Sequence, residues 1–105
     1  MESTMEDREL SRAIVAYVAK GRSAFPRSDV DAVTTFASEH GLNADELLAR
    51  VRAILDECMS IEIDWQKNSL VEGGTRAQRV MAERHPELGQ DALDALFWTF
   101  TYNWR

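Results

Sequence analysis

The fold depends most on residues 91–105, which read DALDALFWTFTYNWR. Five of the protein's nine aromatic residues lie within positions 97–105. Aromatic side chains carry large apolar areas, and an exposed cluster of them promotes aggregation. This stretch must therefore be docked, either into the protein's own core or onto a partner.

Two secondary structures are compatible with this stretch. A helix with 3.6 residues per turn would present one apolar face. That face would consist of Leu93, Leu96, Phe97, Phe100 and Trp104. A strand over 97–104 would alternate aromatic and polar side chains, and residues 60–65, which alternate in the same way, would be its partner in an α+β fold. Because residues 91–96 are strongly helical and contain no breaker, we favour the helix.

The rest of the chain also shows helical periodicity interrupted by recognisable stops. We expect a loop over 68–74 that ends in Gly73-Gly74. The predicted helices run from about Thr4 to Gly21, from the cap Ser28 to Gly41, from the cap Asn43 to about Gln66, from the cap Thr75 to His85, and from Asp91 onward. The sequence thus predicts an all-α fold, a compact bundle of about five helices in a single domain over 1–105. Its first, third and fifth helices are expected to form the main bundle.

Composition indicates a soluble globular protein of ordinary size. The chain has 105 residues, of which 45% are hydrophobic and 29% charged, proportions typical of one folded domain. The longest uninterrupted apolar run, Ala13 to Ala19, is too short to span a bilayer. The first residues are acidic and polar, unlike a signal peptide, and the single cysteine, Cys58, cannot form an intrachain disulfide. We therefore expect a cytoplasmic protein.

The charge distribution favours a protein partner over a nucleic acid. The formal net charge is −6, and residues 43–72 hold seven acids against three bases. An acidic surface repels nucleic-acid backbones and anionic membranes. We therefore expect neither nucleic acid nor membrane as a partner, and expect a basic protein instead.

No residue pattern indicates catalysis. His40 and His85 lie at the ends of predicted helices, where an imidazole interacts favourably with the negative end of the helix dipole. Cys58 lies on the apolar face of the third helix, where a thiol is inert. No spacing of histidine, cysteine or carboxylate side chains matches a metal site. We expect no enzyme activity, no metal and no cofactor.

A weak anion-binding pattern follows the predicted glycine loop. Arg76 and Arg79 lie one turn apart, just after Gly73-Gly74 and the predicted start of a helix. Flexible backbone, a helix N-terminus and two arginines can hold a phosphate or carboxylate. The lysine and preceding strand of a phosphate-binding loop are missing.

The candidate partner-binding residues fall in two groups. Asp56, Glu57, Ile63 and Asp64 would lie on the outer face of a long third helix. Trp98 and Tyr102 would form a second aromatic stripe on the last helix, flanked by Arg105. Tyrosine and tryptophan are frequent at the energetic centres of interfaces. These groups predict a non-catalytic, acidic protein-binding module with an adaptor, inhibitor, immunity-like or antitoxin-like role, and a possible homodimer.

The main alternative is a helix-turn-helix transcription regulator. Residues 36–54 have the outline of that motif, and the aromatic C-terminal stretch would then form a dimer contact. Asp45 and Glu46 would open the recognition helix and point carboxylates at DNA phosphates. Because this charge repulsion disfavours DNA binding, the protein-binding interpretation is the stronger one.

Overall fold

Helices account for most of the described chain, residues 7–104 of this computed structural model. They are α1 (Arg8–Val18), α2 (Val30–Glu39), α3 (Ala44–Met59), α4 (Leu70–Arg84) and α5 (Gln90–Trp104). Outside them, extended pairing within residues 7–104 is limited to one isolated bridge between Lys20 and Ser23. The predicted all-α bundle is confirmed, whereas the alternative pairing of strands 60–65 and 97–104 is wrong.

The aromatic stretch lies in α5, which contacts three other helices. α5 packs against α1, α3 and α4, and α1 also contacts α3. The first, third and fifth helices therefore contact one another, but the most extensive packing is between α4 and α5, which the predicted main bundle did not include. Ala92, Ala95, Leu96 and Phe100 are buried on the inner face of α5. The two alanines allow neighbouring helices to approach closely, and Phe100 fills the space between them.

A buried hydrogen bond ties the start of the chain to the start of α5. The backbone N–H of Gly89 donates to Ser11 Oγ over 2.9 Å. Ser11 is 1% exposed, and it is the buried polar side chain of the core within residues 7–104. A satisfied buried hydroxyl fixes the register of α1 against the turn that precedes α5.

The predicted stop between the second and third helices is confirmed. Gly41 has φ 68°, a left-handed conformation that glycine adopts without strain. The N–H of Leu42 then donates to the carbonyl of Ala37 over 2.8 Å, and Leu42 packs against the core. Asn43 Oδ1 accepts from the N–H of Glu46 and begins α3.

The predicted start of the second helix differs from the structure, and that of the first lies beyond the described residues. Ser28 does not cap α2, because the capping side chain is Asp29, whose Oδ1 accepts from the N–H of Ala32 over 3.0 Å. The carboxylate also interacts favourably with the positive end of the helix dipole. The predicted start near Thr4 lies outside the described residues.

Helix α3 is shorter than its apolar periodicity suggests. The prediction extended it to Gln66, but it ends at Met59. Ser60 Oγ donates to the carbonyl of Glu57 over 2.8 Å. Asp64 Oδ1 accepts from the N–H of Gln66 and forms a local turn. Serine and aspartate side chains compete with helical hydrogen bonds in this way, so residues 61–64 leave the helix without forming a strand.

Helix α4 begins six residues earlier than predicted. Its cap is Ser69, not Thr75. Ser69 Oγ accepts from the N–H of Glu72 over 3.1 Å, and the Glu72 carboxylate accepts from the N–H of Ser69 over 2.8 Å. This reciprocal capping box starts the helix ahead of Gly73-Gly74. The two glycines are therefore buried helical residues and not part of a loop.

Close packing explains why glycine occupies these two helical positions. A Cβ atom at Gly74 would lie 2.5 Å from the methyl group of Thr101 and 2.8 Å from the ring of Phe97. A Cβ atom at Gly73 would lie 2.5 Å from the ring of Trp65. Glycine costs about 1 kcal/mol in helix propensity relative to alanine. Here it permits α5 and the segment after α3 to pack directly on the backbone of α4.

Candidate protein-binding surface

The large hydrophobic side chains that remain exposed gather around the C-terminal end of α5. We call this set the aromatic surface; within residues 7–104 it consists of Phe25, Trp65, Val71, Tyr102 and Trp104. Val71 is 64% exposed and Trp104 47%. A contiguous exposed apolar patch on a small protein is characteristic of an interaction site, whereas scattered single residues are not.

One half of the aromatic surface borders a groove between α4 and α5. Val71 and Tyr102 line this groove, whose volume is about 220 Å³. The ring of Phe25 lies 6.5 Å from that of Tyr102, between centroids. The groove is also lined by Ala24, Leu70, Phe97, Trp98 and Thr101. None of these side chains is charged, so an apolar partner group could enter without displacing a charge from water.

The other half of the aromatic surface consists of Trp65 and Trp104, which form a cluster of three rings with the buried Phe100. The ring centroids of Trp65 and Trp104 are 5.6 Å apart, and each lies 6.3 Å from that of Phe100. Phe100 is fully buried, whereas Trp65 and Trp104 stay partly in solvent. The core thus continues to the surface as a row of aromatic contacts.

The structure corrects the predicted division of α5 into an inner and an outer aromatic face. Trp104 was expected in the core but is exposed, because it lies in the last turn beyond the buried Phe100. Trp98 was expected to face a partner, yet it is only partly exposed and packs against the core. Tyr102 is 39% exposed. Of the predicted stripe, Trp98 therefore forms the floor of the groove and Tyr102 its rim.

The predicted acidic residues do not form one surface. Asp56 is exposed and borders a cleft that Tyr102 also lines. Ile63 is half-buried against the core, close to Gly73, because α3 has already ended. Asp64 organises the turn that follows. Arg105 lies outside the described residues.

Glu57 is engaged within the protein. Its carboxylate lies 2.8 Å from Nε2 of His85 and 3.1 Å from Nη1 of Arg84, and these contacts join α3 to the end of α4. Nδ1 of His85 also lies 3.4 Å from the carboxylate of Glu87. The hydrogen bond with His85 is the main cause that lowers the pKa of Glu57; burial opposes it, and Arg84 adds to the lowering. Glu57 thus contributes to the fold and offers little free charge to a partner.

The arginines of the predicted anion site lie along a helix and not at its start. Because α4 begins at Leu70, Arg76 is in its second turn and Arg79 follows one turn later. Nε of Arg76 donates to Oδ1 of Asn68 over 3.0 Å. Both arginines are exposed, and the helix N-terminus on which the prediction relied lies elsewhere.

His40 and Cys58 have local structural roles. Nδ1 of His40 lies 2.8 Å from the carbonyl oxygen of Phe36, and its ring stacks on that of Phe36 at 4.1 Å between centroids. Cys58 is fully buried. Burial, with a smaller contribution from the negative charge of Glu57, raises the pKa of the Cys58 thiol to about 12. The nucleophilic thiolate is therefore disfavoured at this position.

Across residues 7–104, no three His, Cys, Asp or Glu side chains are grouped so that they could hold a metal ion. Over the same range, no helix combines the length and apolar character needed to cross a bilayer.

Comparison with known proteins gives no family. No protein-family model matches the chain, and no curated protein or solved structure matches it significantly.

Four members of the aromatic surface, Phe25, Trp65, Val71 and Trp104, were absent from the predicted site residues. Val71 lies within the Ser69–Glu72 capping box, a sequence signal that indicates a helix start and would have placed Val71 on a helix. Phe25 is an aromatic residue inside a turn-rich stretch, where burial is difficult. Trp65 lies within the predicted third helix, which extended to about Gln66, whereas α3 ends at Met59.

Proposed function

We propose that the protein is a non-catalytic binding module that docks a basic protein on its aromatic surface. The observation that carries this proposal is the convergence of the exposed large apolar side chains on one end of α5. A chain of this size that seals Phe100 completely still leaves Tyr102 and Trp104 in solvent. Adaptor, inhibitor, immunity-like and antitoxin-like roles all require a surface of this kind.

The groove beside Tyr102 is suited to an apolar anchor. Its uncharged lining and the neighbouring rings of Phe25 and Tyr102 resemble the desolvated centres where binding energy concentrates. A partner side chain such as leucine or phenylalanine would gain affinity there. The affinity of the module would come mainly from this apolar contact.

Charge would act mainly on the encounter. The net charge of −6 attracts a basic partner over long range. In the C-terminal half of α3, however, Glu57 is paired with Arg84 and His85, so Asp56 is the carboxylate there that has no ion-pair partner among residues 7–104. Electrostatic steering would therefore raise the association rate and its dependence on salt more than it lowers the dissociation rate.

A pair of double variants tests the surface. Val71→Gln with Tyr102→Gln removes the apolar rim, whereas Thr35→Gln with Ser38→Gln changes two exposed positions on α2. Proteins captured from the native host by the wild type would be purified, and their dissociation constants measured for all three forms. We expect a partner with a basic net charge, bound at least about tenfold more weakly by the rim variant and unchanged by the α2 control.

Three outcomes would overturn the proposal. They are equal binding of the purified partner by both double variants, an acidic partner, and tight binding of the wild type to duplex DNA at low salt. The last result would support the helix-turn-helix alternative. Circular dichroism and a thermal melt of each variant establish that the fold is intact.

A further inference from the structure

A second cleft lies beside the aromatic surface, between α1, α3, residues 26–28 and the end of α5. Its volume is about 310 Å³, within the range of sites that hold small molecules. Tyr102 borders both this cleft and the apolar groove. The two cavities differ in chemistry, because the groove has no charged lining and the cleft does.

The cleft combines apolar and polar walls. Val18, Leu55 and Met59 contribute apolar surface; the first two are buried and Met59 is half-buried. Tyr17, Ser28 and Asn103 add polar groups. Such a site holds a hydrocarbon group at its base and orients a polar head at its rim.

Two arginines give the cleft a positive balance in an acidic protein. Arg27 and Arg52 both line it, and the remaining charged side chain there is Asp56. Within residues 7–104, neither arginine lies within 4.0 Å of a carboxylate. The nearby carboxylate of Asp29 is already shared between Arg22 and the cap of α2. Two guanidinium groups without acidic partners can therefore accept an external anion.

Two larger cavities in the described part of the chain lack one half of this combination. The cavity between α1 and α2 is larger, about 430 Å³, but its charged lining is mainly acidic, with Asp29, Asp31 and Glu39. The cavity beside Arg8 and Arg12 carries cations but is lined otherwise only by Gln90 and Asp91, with no apolar residue.

We infer that the cleft binds a small amphipathic carboxylate, in which one anionic head is joined to a short apolar group. Arg27 and Arg52 would hold the carboxylate, and Leu55 with Met59 would contact the apolar group. This site is separate from the proposed protein partner, and its test does not depend on that partner. Two sources offer the chemistry, a free carboxylic acid and the C-terminal residue of a peptide that ends in an apolar side chain.

The test uses methionine methyl groups as local probes. Protein labelled with ¹³C at the methionine methyls would be titrated with octanoate, and with octanol and octylamine as neutral and cationic controls. We expect octanoate to shift the Met59 signal in a saturable way while the buried Met81 on α4 stays unchanged. Octanol and octylamine should bind at least about tenfold more weakly, since charge-assisted hydrogen bonds to the head are lost.

Variants of the two arginines test whether they bind the carboxylate head group of the ligand. Arg27→Gln with Arg52→Gln should weaken octanoate binding by about tenfold or more, whereas Arg79→Gln, at an exposed position on α4, should leave it unchanged. A peptide ending in Ala-Leu with a free carboxylate, compared with its amide, identifies the source. If only the free-acid peptide shifts Met59, the ligand is a peptide terminus; if only octanoate does, it is a free acid.

Several results would overturn the inference. They are no saturable Met59 shift with octanoate or with either peptide, equal affinity for octanoate and octanol, and equal loss of binding in the Arg79→Gln control. Each leaves the aromatic surface and its protein partner as a separate question.

Discussion

The middle and the C-terminal end of α5 differ in how completely they are covered. In the middle, the covered part, Phe100 has no exposed surface, and Thr101 with Phe97 lies against the backbone of α4 at Gly74. At the C-terminal end, the open part, Tyr102 and Trp104 keep 39% and 47% of their surface in solvent.

This difference shows that aromatic content alone does not determine burial. The covered part is closed because glycine lets one helix approach another closely. The open part borders a groove beside α4 and a cleft beside α1 and α3, and it contacts the rings of Phe25 and Trp65, which lie outside the helices. One aromatic helix therefore serves the core and the candidate binding surface at the same time.

Truncating one ring from each part of α5 is the strongest test of this contrast. Phe100→Ala should lower the free energy of unfolding by about 3–5 kcal/mol, because it leaves a cavity in the core. Trp104→Ala should cost only about 0.5–1.5 kcal/mol, the value of its ring contacts with Trp65 and Phe100. Urea unfolding of both variants measures the difference. Similar decreases in the free energy of unfolding would contradict this contrast, because the two rings would then be equally important for stability.

The two adjacent glycines of α4 test how closely the covered part of α5 and the ring of Trp65 pack on the backbone of α4. Alanine should gain about 1 kcal/mol in helix propensity at either position, but overpacking costs about 1–3 kcal/mol. At Gly74 the obstacle is Thr101 on a neighbouring helix, so we expect Gly74→Ala to lower stability by up to about 2 kcal/mol. At Gly73 the obstacle is the ring of Trp65 on a loop, which can move.

Gly73→Ala should therefore be closer to neutral and should change the fluorescence of Trp65. Denaturant unfolding and tryptophan emission spectra of the two variants distinguish these effects. Equal destabilisation, or a stabilising Gly74→Ala, would contradict the close approach of α4 and α5.

The smallest expected effect concerns the polar contact between α3 and the end of α4. Its contribution to stability should depend on pH, whereas that of the apolar contacts of α5 should not. The pKa of Glu57 is lowered from its ordinary value of 4.5, so its ionised form stabilises the folded state. That contribution is complete above the unfolded pKa and is lost as the pH falls through the folded pKa. Glu57→Gln should therefore reduce stability near pH 7 and flatten its decline below about pH 4.5.

Unfolding measured from pH 7 to pH 3 tests this prediction. Some acid dependence should remain in the variant, because the pKa of Asp7 is also lowered: burial raises it, but hydrogen bonds from Leu10 and Arg50 outweigh burial. An acid limb identical to that of the wild type would show that the contact with His85 and Arg84 contributes nothing.

Local signals in the sequence were sufficient for most of the fold. The Gly41 stop, the Asn43 cap and the helical lead-in to α5 each depend on residues a few positions apart, and each is confirmed. The end of α3 and the start of α4 were missed for different reasons. The apolar periodicity of α3 continues past Ser60, although the side chains of Ser60 and Asp64 form hydrogen bonds with the backbone that compete with the helix. Gly73-Gly74 resembles a loop in the sequence, because the packing of α5 that requires glycine is visible only in the structure.

The candidate site was less predictable, because exposure depends on tertiary contacts. Tyr102 and Asp56 were identified correctly as neighbours of solvent, and the structure brings them to one cleft. Glu57 was not separable from Asp56 by sequence, since its partners Arg84 and His85 lie more than twenty positions away. Phe25 and Val71 join the surface only through contacts made by the folded chain.

The contact between α1 and α5 also has a consequence for how the protein is made. Helix α1 is synthesised before α5 but packs against it, and Ser11 Oγ accepts its hydrogen bond from the N–H of Gly89 only once both are in place. Until residues 90–104 have emerged from the ribosome, α1 can be covered by α2 and α3, while its contact surface for α5 stays open to chaperones. Docking of α1 is thus completed only after α5 has been synthesised.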